Sequence, residues 1–318
     1  MTAYLIRRLI AMLPVALLVT FFVFVLGHLI PGDPLLQLLS PDEVQRLTRD
    51  DLEEMRAAYG LDRPIVVQYG EWLVRLAQGD LGSSLRTRQP VLTLIVERFP
   101  VTGHLALMSM VIALILGVPL GIYAAIRART TADTFASIIS LLGISMPNIF
   151  LASVLIFVFS YSLQWVSAGG YVPPSQDLGQ SIILLIMPAF TMGTSLLGSI
   201  MRITRASMLE VLGLEYISTA RAKGASERSV LYRHALKNAF IPVLTVLGLQ
   251  IGGLLGGAFI VEQIFAVPGL GRLTVNSIYG RDFPVVQGVV LFFALTYLVV
   301  NLMVDLMYAW LDPRIRYA

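Results

Sequence analysis

Segment 215–240 concentrates basic residues that could bind an anionic partner. The stretch "EYISTARAKGASERSVLYRHALKNAF" carries five basic residues and both lysines of the 318-residue chain, although the sequence around it is strongly apolar. A cluster of this kind can bind acidic side chains of a partner or anionic lipid headgroups, because cations attract carboxylates and phosphates. The five residues are Arg221, Lys223, Arg228, Arg233 and Lys237.

Motifs for catalysis and cofactor binding are missing from the sequence. No G-x-x-x-x-G-K-[ST] phosphate-binding loop occurs, since neither lysine follows a glycine. There is no cysteine, and the three histidines lie too far apart for a common metal-binding motif. A membrane serine protease would have to pair Ser195 with His104 without a G-x-S-x-G motif, so this reading is disfavoured. We therefore expect a protein that is not an enzyme and that holds no cofactor or metal.

The composition predicts a protein of the lipid bilayer. Hydrophobic residues make up 56% of the chain and charged residues 14%, and the mean hydropathy is +0.77. The net charge of +3 is too small to indicate a nucleic acid partner. Six apolar runs without Lys or Arg are long enough to cross a hydrocarbon layer of about 30 Å as helices. These runs are Leu9–Ile30, Val101–Ile126, Phe135–Ser160, Ser181–Met201, Phe240–Val261 and Val285–Trp310.

The distribution of positive charge predicts that both ends of the chain are cytoplasmic. With the N-terminus inside, segment 202–239 is cytoplasmic and holds seven basic residues, whereas the two short outer loops hold only Arg272 and Arg281. Short cytoplasmic loops carry an excess of Lys and Arg in membrane proteins. The long segment 31–98 then lies outside, and the basic segment 215–240 faces the cytoplasm.

Ionisable residues are rare inside the six runs. Glu262 and Asp305 lie towards span ends, and no acidic or basic residue occupies a span centre. Ion-coupled transporters usually place such residues at mid-membrane as relays or ion ligands. Any energy for transport would therefore come from a partner.

Local signals divide the chain further. Residues 1–96 are predicted to hold the first span and an exterior helical insertion (31–96), with a capping box at Ser40 and a glycine stop at Gly60. A second insertion helix is predicted in "PIVVQYGEWLVRLAQG". Residues 97–311 would form the transmembrane domain, and residues 312–318 a cytoplasmic tail. Pro147 and Asn148 are expected to bend the third span.

The basic segment itself is predicted to form two short helices separated by a glycine turn. Gly224 ends the first helix, and Ser226 can cap a second helix that runs to about residue 239. Leu231, Ala235 and Ala239 would lie on one face of that helix at a spacing of four residues. A basic juxtamembrane helix that only fixes topology or contacts anionic lipid is the simpler alternative, but it does not account for the defined turn.

The sequence resembles a known family along nearly its whole length. "EYISTARAKGASERSVLYRHALKNAFIPVLT" is similar to the cytoplasmic EAA-type loop of bacterial ABC importer permeases, and more narrowly to the dipeptide/oligopeptide branch. Ser218, Thr219 and Ala220 stand where the broader consensus has Glu-Ala-Ala, so the glutamate is missing. Further matching blocks follow in order: "IPGDP", "YGLDRPIVVQYGEWL", "GDLGSSL", "RITRASMLEVL", "VEQIFAVPGLGRL", "RDFPVVQG" and "YAWLDPRIRY".

The resemblance implies an all-α, polytopic protein of the bacterial inner membrane with six spans and the type I ABC importer permease fold. Its implied partners are two separate ATPase subunits that hydrolyse ATP, a second homologous permease that completes a heterodimer, and an exterior substrate-binding protein. The basic segment would be the coupling helix that fits a groove on an ATPase. The implied contact residues are Ala220, Arg221, Ala222, Lys223, Gly224 and Ala225, supported by Arg233, His234 and Asn238.

The resemblance also implies a substrate class, with di- and oligopeptides first and nickel chelates, glutathione or oligosaccharides as alternatives. A membrane protein outside transport remains the alternative from another class. In span five, glycines at four-residue spacing favour close helix packing, and the same face is a candidate translocation path. The residues named for that path are Gln250, Gly252 and Gly256.

Overall fold

The computed structural model of the chain describes residues 2–29, 53 and 62–311, and every regular element in these residues is helical. The predicted helix 40–60 and the tail 312–318 lie outside the described residues, apart from residue 53. The helices are α1 (Thr2–Leu29), α2 (Ile65–Ala77), α3 (Val91–Ile126), α4 (Thr131–Ser145), α5 (Asn148–Leu155, continued by a π-helix Ile156–Ser162), α6 (Leu178–Leu212), α7 (Glu215–Ala222), α8 (Glu227–Ser229), a π-helix Val230–Ala235, α9 (Leu236–Ile264), α10 (Leu270–Tyr279) and α11 (Phe283–Leu311).

The order of the predicted spans is confirmed. In the described part of the chain, five helices are long and apolar enough to cross a membrane, and the bent pair of α4 and α5 brings the number to the predicted six if the pair crosses as one span. Several helices run past their apolar cores. The helix α6 starts at a side-chain cap, where Asp177 accepts a hydrogen bond from the backbone N–H of Gln180 at 3.0 Å, and it continues beyond Met201 through Arg202 and Arg205. The helix α6 therefore continues as one helix from its apolar part to Leu212.

The bend predicted in the third span is present between α4 and α5. The two helices meet at 105°, with Met146 and Pro147 extended between them. A proline disfavours the helical conformation of the residue before it, and Met146 has ψ of 123°. The third span is therefore a broken helix.

The chain forms two compact units. The first consists of Met1–Arg98 and Leu273–Ala318. Within it α1 packs along α11, and the side-chain amide of Gln287 donates to the carbonyl of Val23 at 2.9 Å. Asp282 is buried and accepts from the hydroxyl of Ser84 and the backbone N–H of Leu85. The division at residues 96 and 97 drawn from the sequence stays a prediction.

The second unit consists of Phe99–Arg272, and its core lies between α3, α6 and α9. Two glycines let α6 approach its neighbours closely. A side chain at Gly193 would collide with the backbone of Ser109 on α3, and one at Gly198 would collide with the backbone of Ser140 on α4. Small residues at helix contacts are the usual basis of close packing in membranes. The helix α6 is thus the centre of this unit, and its cytoplasmic end leads into the basic segment.

Candidate ATPase-coupling surface

The turn at Gly224 ends α7 with a Schellman motif. Gly224 has φ of +79°, in the left-handed region that favours glycine. Its N–H donates to the carbonyl of Arg221 at 2.9 Å, and the N–H of Ala225 donates to the carbonyl of Ala220 at 3.2 Å. The glycine predicted to separate two helices therefore sets a defined reversal of the chain.

The second helix begins at Ser226 as predicted, because the serine side chain accepts from the backbone N–H of Ser229. The structure corrects the predicted buried face. A π-helical turn over Val230–Ala235 inserts one extra residue, so Val230 and Ala235 both become fully buried while Leu231 is only half-buried. The four-residue spacing assumed from the sequence holds only from Ala235 to Ala239.

The two short helices are held together by a buried contact and a hydrogen-bond network. Ile217 is fully buried in a cluster with Val230 and Ala235. The amide of Asn238 donates to the hydroxyl of Tyr216 at 2.7 Å, and that hydroxyl donates to the backbone carbonyl of His234 at 3.3 Å. The base of α7 is therefore fixed to the start of the fifth span.

The tip of the turn is closed by an exposed ion pair. The guanidinium of Arg221 donates to both carboxylate oxygens of Glu227, at 2.8 and 3.4 Å. Exposed pairs of this kind contribute little to stability, so the pair orients the two side chains more than it holds the turn together.

The structure brings the predicted contact residues onto one surface. Arg221, Ala222, Lys223 and Gly224 are exposed, and Ala220 and Ala225 are half-buried at its edge. We call residues 220–225 the coupling surface. The supporting residues differ in their contacts. Arg233 is exposed, whereas His234 contributes its backbone carbonyl to the hydrogen bond with Tyr216.

Sequence reasoning missed three residues that support the coupling surface. Tyr216, Ile217 and Glu227 make the hydrogen bond, the buried contact and the ion pair that position it. Ile217 carried a usable signal, since it is the one large aliphatic residue between Leu214 and Val230. The network of Tyr216 with Asn238 joins residues 22 positions apart, and no local pattern indicates it.

Comparison with known families decides the class. Residues 117–317 match the family described as "Binding-protein-dependent transport system inner membrane component", and residues 1–106 match the N-terminal model of the same systems. The chain belongs to this family of transport permeases. It is therefore a multi-pass permease subunit of the inner membrane.

Relatives of this permease match it end to end. It is 42% identical over 321 residues to a putative peptide transport system permease of Brucella abortus (strain 2308), and the match covers 100% of both chains. It is 40% identical over 320 residues to the oligopeptide transport system permease of Bacillus subtilis (strain 168), again over 100% of both. The glutathione transport system permease of Escherichia coli O6:H1 (strain CFT073) is 41% identical over 317 residues, with 100% of both chains covered.

A solved structure supports the fold of the permease. An inward-facing form of the MetNI methionine ABC transporter superposes with a TM-score of 0.56 at 18% identity, covering 69% of this chain and 96% of the other. The predicted type I ABC importer permease fold is thus confirmed.

One buried ion pair ties α4 to α6 near the cytoplasmic end of the permease. Arg205 donates through Nε and Nη2 to the two carboxylate oxygens of Asp133, at 2.5 and 2.8 Å. The backbone N–H of Arg129 also donates to Asp133, which is only 6% exposed. Further along, the hydroxyl of Ser140 donates to the carbonyl of Gly198 at 2.7 Å. The broken third span is therefore clamped to the helix that leads to the coupling surface.

The residues named for a translocation path lie along α9 without converging on one pocket. Gln250 and Gly252 are half-buried and Gly256 is exposed. Among the described residues, a Cβ at Gly256 would meet no atom within 4 Å beyond its own stretch of α9, so tight packing against them does not explain that glycine.

The two residues of the disfavoured protease pair have other partners. His104 Nδ1 lies 3.0 Å from the hydroxyl of Tyr171, and the two rings stack. Burial raises the pKa of Tyr171, so its hydroxyl stays protonated at neutral pH. The backbone carbonyl of Ser195 accepts from Ser199 one helical turn later. Across the described residues, no group of three His, Asp or Glu side chains is arranged to hold a metal ion.

Proposed function

We propose that this permease forms one half of the pore of an ATP-driven importer and receives energy through its coupling surface. The observation that supports this role is the exposed turn at Gly224, which is held rigidly by a Schellman motif and by Ile217 beneath it. A surface that is exposed yet fixed suits docking into a groove of another protein, because little conformational freedom is lost on binding.

The partners in this proposal are two ATPase subunits, a second homologous permease and an exterior substrate-binding protein. The chain has no phosphate-binding loop, so ATP hydrolysis belongs to the separate ATPases and the permease itself catalyses no reaction. The binding protein follows from the family, whose transport is binding-protein-dependent. A heterodimer of two permeases would complete the pore.

The proposed substrates are di- and oligopeptides. This assignment rests on the relatives that are described as peptide and oligopeptide permeases at 40–42% identity over the full chain. The glutathione permease is similar to nearly the same degree, and glutathione is itself a tripeptide. Peptides are therefore the class that these three relatives share, and nickel chelates and oligosaccharides stay the alternatives. The proposed path runs along α9 at Gln250, Gly252 and Gly256, with the two glycines on one side of the helix and Gln250 on another.

The proposed transmission of force runs from the coupling surface into α6 and then into α4. Only Gly213 and Leu214 separate α7 from α6, which continues without a break for 35 residues. Arg205 on α6 holds Asp133 on α4, so a tilt of α6 would carry α4 with it. The bend at Pro147 then allows α4 to move relative to α5. Rigid helices with one hinge are a common basis of such switching.

The experiment that tests the proposal is purification of the tagged permease from membranes of its own host. We expect two ATPase subunits and a second permease to copurify, and we expect labelled dipeptide or oligopeptide uptake to stop when the permease gene is deleted. ATP binding by the purified permease freed of ATPase would contradict the proposal, as would a permease that carries no ATPase with it.

A further inference from the structure

The helix α2 belongs to the exterior insertion, but it contacts α1 at residues that lie inside the first membrane span. The hydroxyl of Tyr69 on α2 lies 2.9 Å from the hydroxyl of Thr20 on α1 and donates to the carbonyl of Leu17 at 3.1 Å. The apolar candidate span of α1 includes Ile6–Val25, and the helix continues to Leu29. Thr20 therefore lies more than one helical turn inside the exterior end of the span, at a rise of about 1.5 Å per residue.

Aromatic rings pack α2 against the exterior half of α1. Tyr69 packs edge-on against Phe21, and Trp72 packs against Phe24 at 5.7 Å between centroids. Phe24 lies one helical turn beyond Thr20 towards the exterior end of α1, so the deeper ring of α2 is Tyr69 and the shallower ring is Trp72. Tyrosine and tryptophan concentrate at this level of a membrane, where a polar tip and an apolar body both find partners.

The helix α2 has three distinct faces. The face towards α1 is partly buried, and the second face carries the polar residues. The third face is apolar and exposed. Its two largest members are Val66, which is 75% exposed, and Val74, which is 58% exposed. The α1-facing residues are Tyr69, Trp72, Leu73 and Leu76; the polar residues are Gln68, Glu71, Arg75 and Gln78; the exposed apolar residues are Val66, Gly70, Val74 and Ala77.

We propose that α2 lies in the exterior leaflet as an interfacial helix, with Val66 and Val74 against phospholipid acyl chains. The contact with Thr20 places the helix at the depth of those chains, and an amphipathic helix in the interface buries its apolar face there. The polar face is nearly neutral in charge, because the guanidinium of Arg63 pairs with Glu71 and leaves Arg75 as the remaining cation of that face. The helix therefore anchors the exterior insertion to lipid immediately before the "GDLGSSL" loop and the second span.

The test uses the cysteine-free background of the natural chain. Val66→Cys and Val74→Cys, with Arg75→Cys and Gln78→Cys as matched controls on the polar face, are each labelled with an environment-sensitive fluorophore in the intact transporter in phosphatidylglycerol and phosphatidylethanolamine vesicles. We expect lipids with a nitroxide high on the acyl chain to quench positions 66 and 74 at least threefold more than positions 75 and 78. Aqueous iodide should give the reverse order.

Two results would overturn the proposal. Strong iodide quenching at positions 66 and 74 would show that the apolar face is in water. Weak quenching by both reagents at these positions would show that protein covers the face, either residues 30–61 of this chain or a second permease subunit. The use of two valine positions guards against a local effect of one label. Neither result depends on whether residues 220–225 bind an ATPase.

Discussion

The coupling surface and the exterior end of α9 use charged residues in opposite ways. At the coupling surface Arg221 and Lys223 are exposed, and the backbone turn is held by main-chain hydrogen bonds and Ile217. At the exterior end Glu262 is fully buried, and its carboxylate accepts from the hydroxyl of Thr102 at 2.6 Å and the N–H of Arg272 at 2.9 Å. We propose that the first region presents charge to a partner; the second uses a buried carboxylate to hold a loop.

The hydrogen bonds around Glu262 show what the buried carboxylate does. The hydroxyl of Thr102 donates to Glu262 and accepts from the N–H of Leu270, so α3, α9 and the start of α10 meet at one point. A buried carboxylate with several donors is costly to remove, because each donor loses its partner. We therefore predict that substitutions at the exterior end of α9 lower the stability of the permease. Substitutions at the coupling surface should instead weaken the binding of a partner.

The largest expected effect on stability comes from Glu262→Ala. This change leaves the hydroxyl of Thr102 and the N–H of Arg272 without an acceptor and opens a cavity, so we expect the free energy of unfolding to fall by about 3 kcal/mol. Thermal unfolding of the purified permease in detergent measures it. Gln263→Ala, at the exposed neighbouring position, should leave the melting temperature unchanged. Equal melting temperatures for the two variants would contradict the distinction between the regions.

The second effect is intermediate and concerns Arg205. Arg205→Gln removes the bidentate bonds to Asp133, and we expect a loss of about 1–2 kcal/mol, reduced by the one-third exposure of the arginine. We also expect uptake per ATP hydrolysed to fall several-fold, since α4 would no longer follow α6. Arg202→Gln, one turn away and exposed, is the matched control. If uptake and ATPase activity fell together and their ratio stayed unchanged, the ion pair would have a structural role only and no role in coupling.

The parts of the fold with a local signal were predictable. The six spans follow from long apolar runs, the break follows from Pro147, and the reversal at residue 224 follows from a glycine before a serine cap. The residues proposed for the coupling surface could be named from the sequence because they lie in one continuous stretch.

The long-range contacts could not be predicted in the same way. Asp133 and Arg205 are 72 residues apart, and Thr102 and Glu262 are 160 residues apart. Such pairs leave no periodic pattern, since each side chain reads locally as a polar residue near a span end. The π-helical turn before Ala235 is a further case, because one inserted residue shifts the buried face without changing the apolar composition.

Substitution of Gly224 is expected to have the smallest effect on stability and the largest effect on coupling. A Cβ there meets no atom of the described residues within 4 Å apart from its chain neighbours, so we expect any defect to come from the left-handed backbone or from the partner. Gly224→Val strains the turn, because β-branched residues rarely adopt positive φ. Gly224→Asn is the control, since asparagine tolerates the left-handed region.

Uptake per membrane-inserted permease, measured together with copurified ATPase for Gly224→Val and Gly224→Asn, tests the central claim most directly. We predict normal membrane abundance for both variants, at least a tenfold loss of uptake and of copurified ATPase for the valine variant, and substantial retention of both for the asparagine variant. Normal uptake by Gly224→Val at normal abundance would contradict the account and leave the basic segment as a topology signal alone.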